Sequence, residues 1–256
     1  MPTVNSEIKR IIREKDLAVK SGTQSMLALL EELQQQVLDE LGRAALGSWD
    51  AYQLKQVSNS IESQIADFKT KVKAEADGLL KDSWGKGQAL VDIPLAEVGI
   101  YTGWHLSTSV LDTLKDFAFH RIDNLSNDAW LRIRGELNLG ILGGKTPQEV
   151  AAAIGQNLTD PSIFSSIADR AEVITKTEMG RVFSEATQLR MEQAAQNVDG
   201  LEKQWIHAGH PKKARPMHLA ANGQHVPVNE PFNIGGVQMM FPRAPGAPLD
   251  EVINCG

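Results

Sequence analysis

Four of the six histidines in this chain, His207, His210, His218 and His225, fall within one stretch, "HAGHPKKARPMHLAANGQH". Three chemistries suit such a cluster. A zinc site needs about four N, S or O ligands converging at ~2.0–2.3 Å. His207, His210, His218 and Cys255 are the candidate set, but only His207 and His210 show paired-ligand spacing. A catalytic site needs a nucleophile beside a base and a group that orients the base. Cys255 with His218 and Glu178 is the one arrangement to consider. A thiol beside a terminal carboxylate is loosely held, and that charge raises its pKa. The third chemistry is structural. Arg215 offers five donors in a planar fork and His218 can bridge two groups. Bonded to Glu178 or to nearby carbonyls, with Trp205 as apolar anchor, they would clamp a loop-rich tail onto a helix. The residue types favour this clamp, with no catalytic group, no metal and no cofactor.

Glu178 belongs to a helix expected from about Pro161-Ser162, whose apolar side carries Ile163, Ile167, Ala171, Ile174, Val182, Ala186 and Leu189. A carboxylate on that stripe is costly unless a cation or hydrogen-bond donors meet it. Arg181 is one candidate partner and the basic loop 212–218 another. Upstream, Met26, Leu30, Leu33, Val37 and Leu41 recur at steps of three and four, as do Val57, Ile61, Ile65, Phe68, Val72 and Leu79. These predict two amphipathic helices. They read either as packed core helices or as a projecting hairpin, whose first stripe would then face a partner. A Gly-rich break is expected at "SWGKGQALVDIPLAEVG". A further helix starts near Ser107, with Val110, Leu114, Phe117, Ile122, Leu125, Ala129 and Ile133 inward. "GGKT" resembles the end of a phosphate-binding loop, but the glycine that motif requires is Leu139 here. Thr146 as N-cap, Pro147 as first helical residue and Glu149 as reciprocal partner explain the stretch better.

Seven of the eleven prolines lie between Pro211 and Pro248, so the text changes character near residue 200. "QHVPV" and "GVQMMF" are short strand candidates, and Asn222-Gly223 is a hairpin-turn signal. The fold expected is mainly α with a small α+β carboxy-terminal region. Its three segments are an amphipathic 1–100, a helical 101–200 and a Pro/Gly-rich 201–256. The formal net charge is −6. Residues 205–256 hold four basic and three acidic side chains, so the first 204 carry −7. That balance makes a poor non-specific nucleic-acid binder, and no sequence-specific nucleic-acid partner is expected. No apolar run approaches the ~20 residues of a membrane span. The first ten residues lack a secretory signal, and a single cysteine fits a reducing compartment.

In this tail the chain resembles the phage Mu F-like minor head proteins. The likeness rests on Trp205, Arg215-Pro-Met-His218, Asn222-Gly223, Pro231-Phe232, Gly235-Gly236, Phe241-Pro242 and Asn254-Cys255. Thr177-Glu178 and "GGKTPQEVAAAIG" extend it upstream, so that it covers about residues 105 to 256. The family often carries an acidic residue where this chain reads "HAGHPKKA", and often ends in Asn-Cys-x-Cys. The resemblance implies a minor head protein, not an enzyme, acting in head morphogenesis within the virion or in host cytoplasm during assembly. Its partners would be the portal protein, the major capsid or scaffolding protein, or further copies of itself, with packaged DNA nearby. The alternative is a metal-dependent hydrolase or toxin-like domain using the His/Cys-containing tail, since Mu F-like segments also occur joined to effector domains.

Overall fold

In the computed structural model the described residues are 4–44, 51–101, 103, 105–142, 144–155, 158, 161–207 and 215–248, without the side chains of 44, 51–54 and 147. Of the described residues 74% are helical, in six helices, with two small antiparallel strand pairs near the carboxy terminus. The mainly α class with a small β-containing tail is therefore observed. In order, the elements are α1 (Val4–Ala44), α2 (Ala51–Glu97), α3 (Ser109–Ile141), α4 (Pro147–Ile154) and α5 (Ile163–Ala195). There follow β1 (Glu202–Gln204), α6 (Pro216–Ala220), β2 (His225–Pro227), β3 (Phe232–Ile234) and β4 (Val237–Met239).

The long helices share one pattern. In α2 the buried positions run Val57, Ile61, Ile65, Phe68, Val72 and Ala76, and in α3 Leu111, Lys115, Ala118, Ile122, Ser126, Ala129, Ile133 and Leu137. Steps of four, four and three repeat every ~11 residues, or ~3.67 per turn, close to the helix's own 3.6. The stripe therefore stays nearly parallel to the axis over many turns, and long helices can be buried along one side without heptad wrapping. Val110 and Phe117, expected inward, are displaced by one position: Leu111 and Ala118 are buried while Phe117 is exposed.

The break expected at "SWGKGQALVDIPLAEVG" does not occur, because α2 continues to Glu97. Trp84, Val91 and Leu95 keep the stripe buried. Gly87 is a contact position within the helix: a Cβ there would meet the Phe183 carbonyl oxygen at 2.4 Å and Ala186 Cβ at 2.7 Å. Pro94 falls in the last turn, where only one helical bond is forfeited.

The chain divides into two compact units that interleave separated stretches: Met1–Lys20, Leu79–Leu114 and Lys176–Gly256 in the first, Ser21–Gly78 and Lys115–Thr175 in the second. In the second unit, Lys71 pairs with Glu32 at 2.6 Å, joining α2 to α1. Asp123 of α3 receives Lys69 at 2.9 Å and Lys73 at 2.7 Å from α2. Although partial burial works to raise the Asp123 pKa, these two ammonium groups bring it below the ordinary value. Met26, Leu30, Leu33, Val37 and Leu41, read as a partner-facing stripe in the projecting-hairpin alternative, are all buried at 6% exposure or less. The chain's own packing covers that face. At α4, Thr146 and Glu149 form the expected reciprocal cap: Glu149 N donates to Thr146 Oγ1 at 3.3 Å and Thr146 N donates to Glu149 Oε2 at 2.7 Å.

In the first unit, β1 pairs with β2, with Lys203 opposite Val226, and β3 pairs with β4, with Asn233 opposite Gln238. Asn222-Gly223 does not form a two-residue hairpin. It follows α6, which lies within the β1–β2 connection, and Gly223 N donates to the Trp205 carbonyl at 2.8 Å. The tight hairpin turn is Gly235-Gly236 between β3 and β4, with φ of 61° and 95°. Positive φ at both central positions matches the right-handed twist of the strands, and glycine adopts it without steric cost.

A candidate functional site where the tail meets helix α5

Helix α5 is nearly enclosed from Thr175 to Arg190, and its polar side chains there receive the tail. Gln188 is central. Its Nε2 donates to the Val228 carbonyl at 3.0 Å and to Glu192 Oε1 at 2.7 Å, and its Oε1 accepts from Lys203 Nζ at 3.1 Å. Lys203 lies on the inward side of β1, only 3% exposed. Its ammonium also donates to the Met240 carbonyl at 2.8 Å and lies 5.2 Å from the centroid of the Phe232 ring. Burial depresses its pKa from the usual 10.5 to about 8, although the Glu192 charge pulls the other way.

Arg243 makes a second approach. It is the one non-glycine residue with positive φ, 67°, among the described residues, a conformation costing about 1 kcal/mol or more. This turn brings the guanidinium against Gly180 of α5, where a Cβ would come within 2.3 Å of Nη1. A glycine inside a buried helix is thus explained by an arginine laid on its backbone. Nearby, burial raises the Glu185 pKa, the Glu192 charge adds to the rise and Arg181 opposes it.

Of the sequence-derived clamp, the structure brings Trp205 and His218 together. Their rings meet edge-on at 5.9 Å, both are buried, and Trp205 packs against Phe232 at 5.3 Å. Ala221, Ile234 and Met239 complete this small core. Glu178 is 2% exposed and accepts from Arg181 Nη1 at 3.0 Å, three residues along the same helix. Arg215, half-buried, is the N-cap position of α6. Of the metal candidates, His210 and Cys255 lie outside the described residues. His207 uses its backbone N–H to donate to Asn222 Oδ1 at 2.9 Å. His225 is exposed, with Nε2 2.8 Å from Gln204 Nε2 and Nδ1 3.8 Å from Glu202. Among the described residues no group of three or more His, Cys, Asp or Glu is placed to hold a metal ion, and no helix is long and apolar enough to cross a membrane.

Gln188, Lys203 and Arg243 were not singled out from the sequence. Gly180, in the interior of a helical pattern, is a signal of a close approach that could have pointed to Arg243.

Beside these tethers is a cavity of roughly 300 Å³. Ile8 and Ile12 of α1, Leu90 of α2, Phe183 and Met191 of α5, and Phe241 supply apolar wall. Lys15, Lys203 and Arg243 also line it, against the single carboxylate of Glu202. The combination of apolar wall and excess cation suits a small anion with an apolar body.

No family model matches the chain, and no solved structure matches it. Among curated proteins, it is 32% identical over 116 residues to the NAD(+)--arginine ADP-ribosyltransferase EFV of Enterococcus faecalis (strain ATCC 700802 / V583). The match covers 45% of this chain and 22% of that protein, so the chain spans about a fifth of the relative's length. This similarity corrects two expectations, that of a phage minor head protein and that of a protein with no enzymatic role. The relative it points to is an enzyme, and nothing found bears on head assembly.

Proposed function

We propose that this chain is a Mu F-like module of a toxin-like protein that acts in arginine ADP-ribosylation. The observation that carries the reading is the 32% identity over 116 residues to a named arginine ADP-ribosyltransferase. The small share of the relative that is matched, 22%, supports a module common to both polypeptides rather than two equivalent whole proteins. The ordered run from Trp205 through Arg215, His218, Gly235-Gly236 and Phe241-Pro242 supports the Mu F-like description. In this reading the module is a folded unit that the transferase chemistry depends on, with the tail fixed to α5 by Gln188, Lys203 and Arg243.

A chimera tests it. The matched residues of the E. faecalis transferase are exchanged for those of this chain, and modification of agmatine, a small arginine analogue, is followed with NAD+ as donor. Retained transfer is expected. A chimera that folds but has lost transfer would reject the shared module. Release of nicotinamide from NAD+ by this chain alone, measured in parallel, would place the chemistry within it.

A further inference from the structure

The cavity beside Lys203 supports a second inference, independent of the similarity to a transferase. Its volume of roughly 300 Å³ corresponds to about ten water volumes, too small for a dinucleotide or a folded peptide segment. Its wall is dominated by aliphatic and aromatic side chains, which favour a hydrocarbon or ring. Of the three cationic residues that line it, Lys15 is already paired with Asp16 at 2.8 Å, and the one lining carboxylate, Glu202, is 57% exposed at its side chain and turned towards His225.

Lys203 is the group that would select the ligand. An ammonium has three protons. Two are met by Gln188 Oε1 and the Met240 carbonyl, and among the described residues no carboxylate lies within ion-pair distance of Nζ. A buried cation held by neutral acceptors, with the Glu192 charge acting only from beyond ion-pair distance, carries a desolvation cost that an incoming anion relieves. One ammonium calls for one charge. The two neutral acceptors already on Nζ disfavour a crowded dianion such as phosphate. The aromatic ring of Phe232 and the wall around Phe183 and Phe241 accommodate the apolar remainder.

We propose that this cavity binds a small amphipathic monocarboxylate of about ten non-hydrogen atoms, its carboxylate on Lys203 and its apolar body against Phe183 and Phe241. The site lies wholly within the first unit and uses residues of α1, α2, α5 and the tail. Occupancy would therefore bind the tail and the amino-terminal helix to one ligand.

Octanoate is the probe, titrated into the intact chain by calorimetry and by thermal unfolding, with 1-octanol as its uncharged counterpart. Saturable octanoate binding that raises Tm is expected, with 1-octanol at least ten times weaker. Lys203→Met, which keeps the length and removes the charge, should lose the preference for octanoate over octanol. Ile12→Trp, which fills the cavity from its half-buried wall, should abolish binding of both and covers the case in which Lys203→Met fails to fold. Equal affinity for octanoate and octanol in the unaltered protein would overturn the proposal. So would the absence of saturable binding, or octanoate binding unchanged by Ile12→Trp.

Discussion

The two units are held by different physics. The second contains no strand among its described residues, only helices and their short connections, and is fixed by apolar stripes, with ion pairs at the margins such as Lys71 with Glu32. Each stripe residue contributes through area removed from water, a non-directional term that tolerates exchange among similar side chains. The carboxy-terminal part of the first unit has three-residue strands and a five-residue helix. It cannot bury much, so a few directional bonds from Gln188 and Lys203, and the packing of Arg243 on Gly180, fix its position. Redundant weak contacts tolerate a loss that a few directional ones do not, although truncating a large, fully buried apolar side chain still costs most.

That contrast is tested first at Phe164, fully buried in the second unit. Phe164→Ala should cost about 3–5 kcal/mol in denaturant unfolding. A loss below about 1 kcal/mol would mean that the stripe is not the main support there. Next is Gln188→Leu, similar in size but unable to bond. It leaves the Lys203 ammonium and the Val228 carbonyl each short of a partner, at about 1–3 kcal/mol, and tail amides should exchange hydrogen faster while those of α3 do not. Uniform acceleration in both units would erase the distinction drawn here.

Lys203 gives a pH signature. Its folded pKa, about 8, is below the 10.5 of an exposed lysine, so the unfolded chain binds more protons between those values. Stability should therefore rise as pH increases from about 8 to about 10.5, and Lys203→Met should flatten that rise. A rise of the same size in the variant would assign it to other groups. The smallest effect compares two glycines of α2. Gly78 has nothing within 4 Å of a built Cβ, so Gly78→Ala should stabilise by about 0.5–1 kcal/mol through helix propensity alone. Gly87→Ala should destabilise instead, because its Cβ would press on the backbone of α5. Two gains of equal size in thermal unfolding would show that α2 and α5 are not in close contact.

Much of this was legible in the sequence where local chemistry decides. Thr146, Pro147 and Glu149 state a helix start in four residues, and the structure forms that cap. Stripes in α1 and α2 were visible because their steps repeat. The extension of α2 was missed because Gly85, Gly87 and Pro94 read as breakers, whereas Trp84, Val91 and Leu95 continue the stripe through them. Tertiary contact overrode propensity. At Asn222-Gly223 a strong turn signal was correct about a turn and wrong about what it joins, because α6 intervenes between the paired strands. Lys203 was illegible for a different reason. Within "LEKQW" a lysine flanked by polar residues reads as solvated, and a three-residue strand offers too little alternation to show which side faces inward. Pro242 announces the turn in which Ala244 N donates to the Phe241 carbonyl at 3.1 Å, but its third position, with positive φ, is one where glycine is expected, so nothing marked Arg243 as the residue held there.

The interleaving of the units limits how the protein can be dissected. One unit is assembled from three stretches and the other from two, and α1, α2, α3 and α5 each contribute to both. No single proteolytic nick or stop codon can release either as an uninterrupted fragment. A cut near residue 20, 78, 114 or 175 would sever a continuous helix and strip neighbouring turns of their stripe partners. Expression trials with shortened versions should accordingly yield insoluble material wherever the junction falls within these four rods, and moving the termini by circular permutation would leave the two units interleaved all the same.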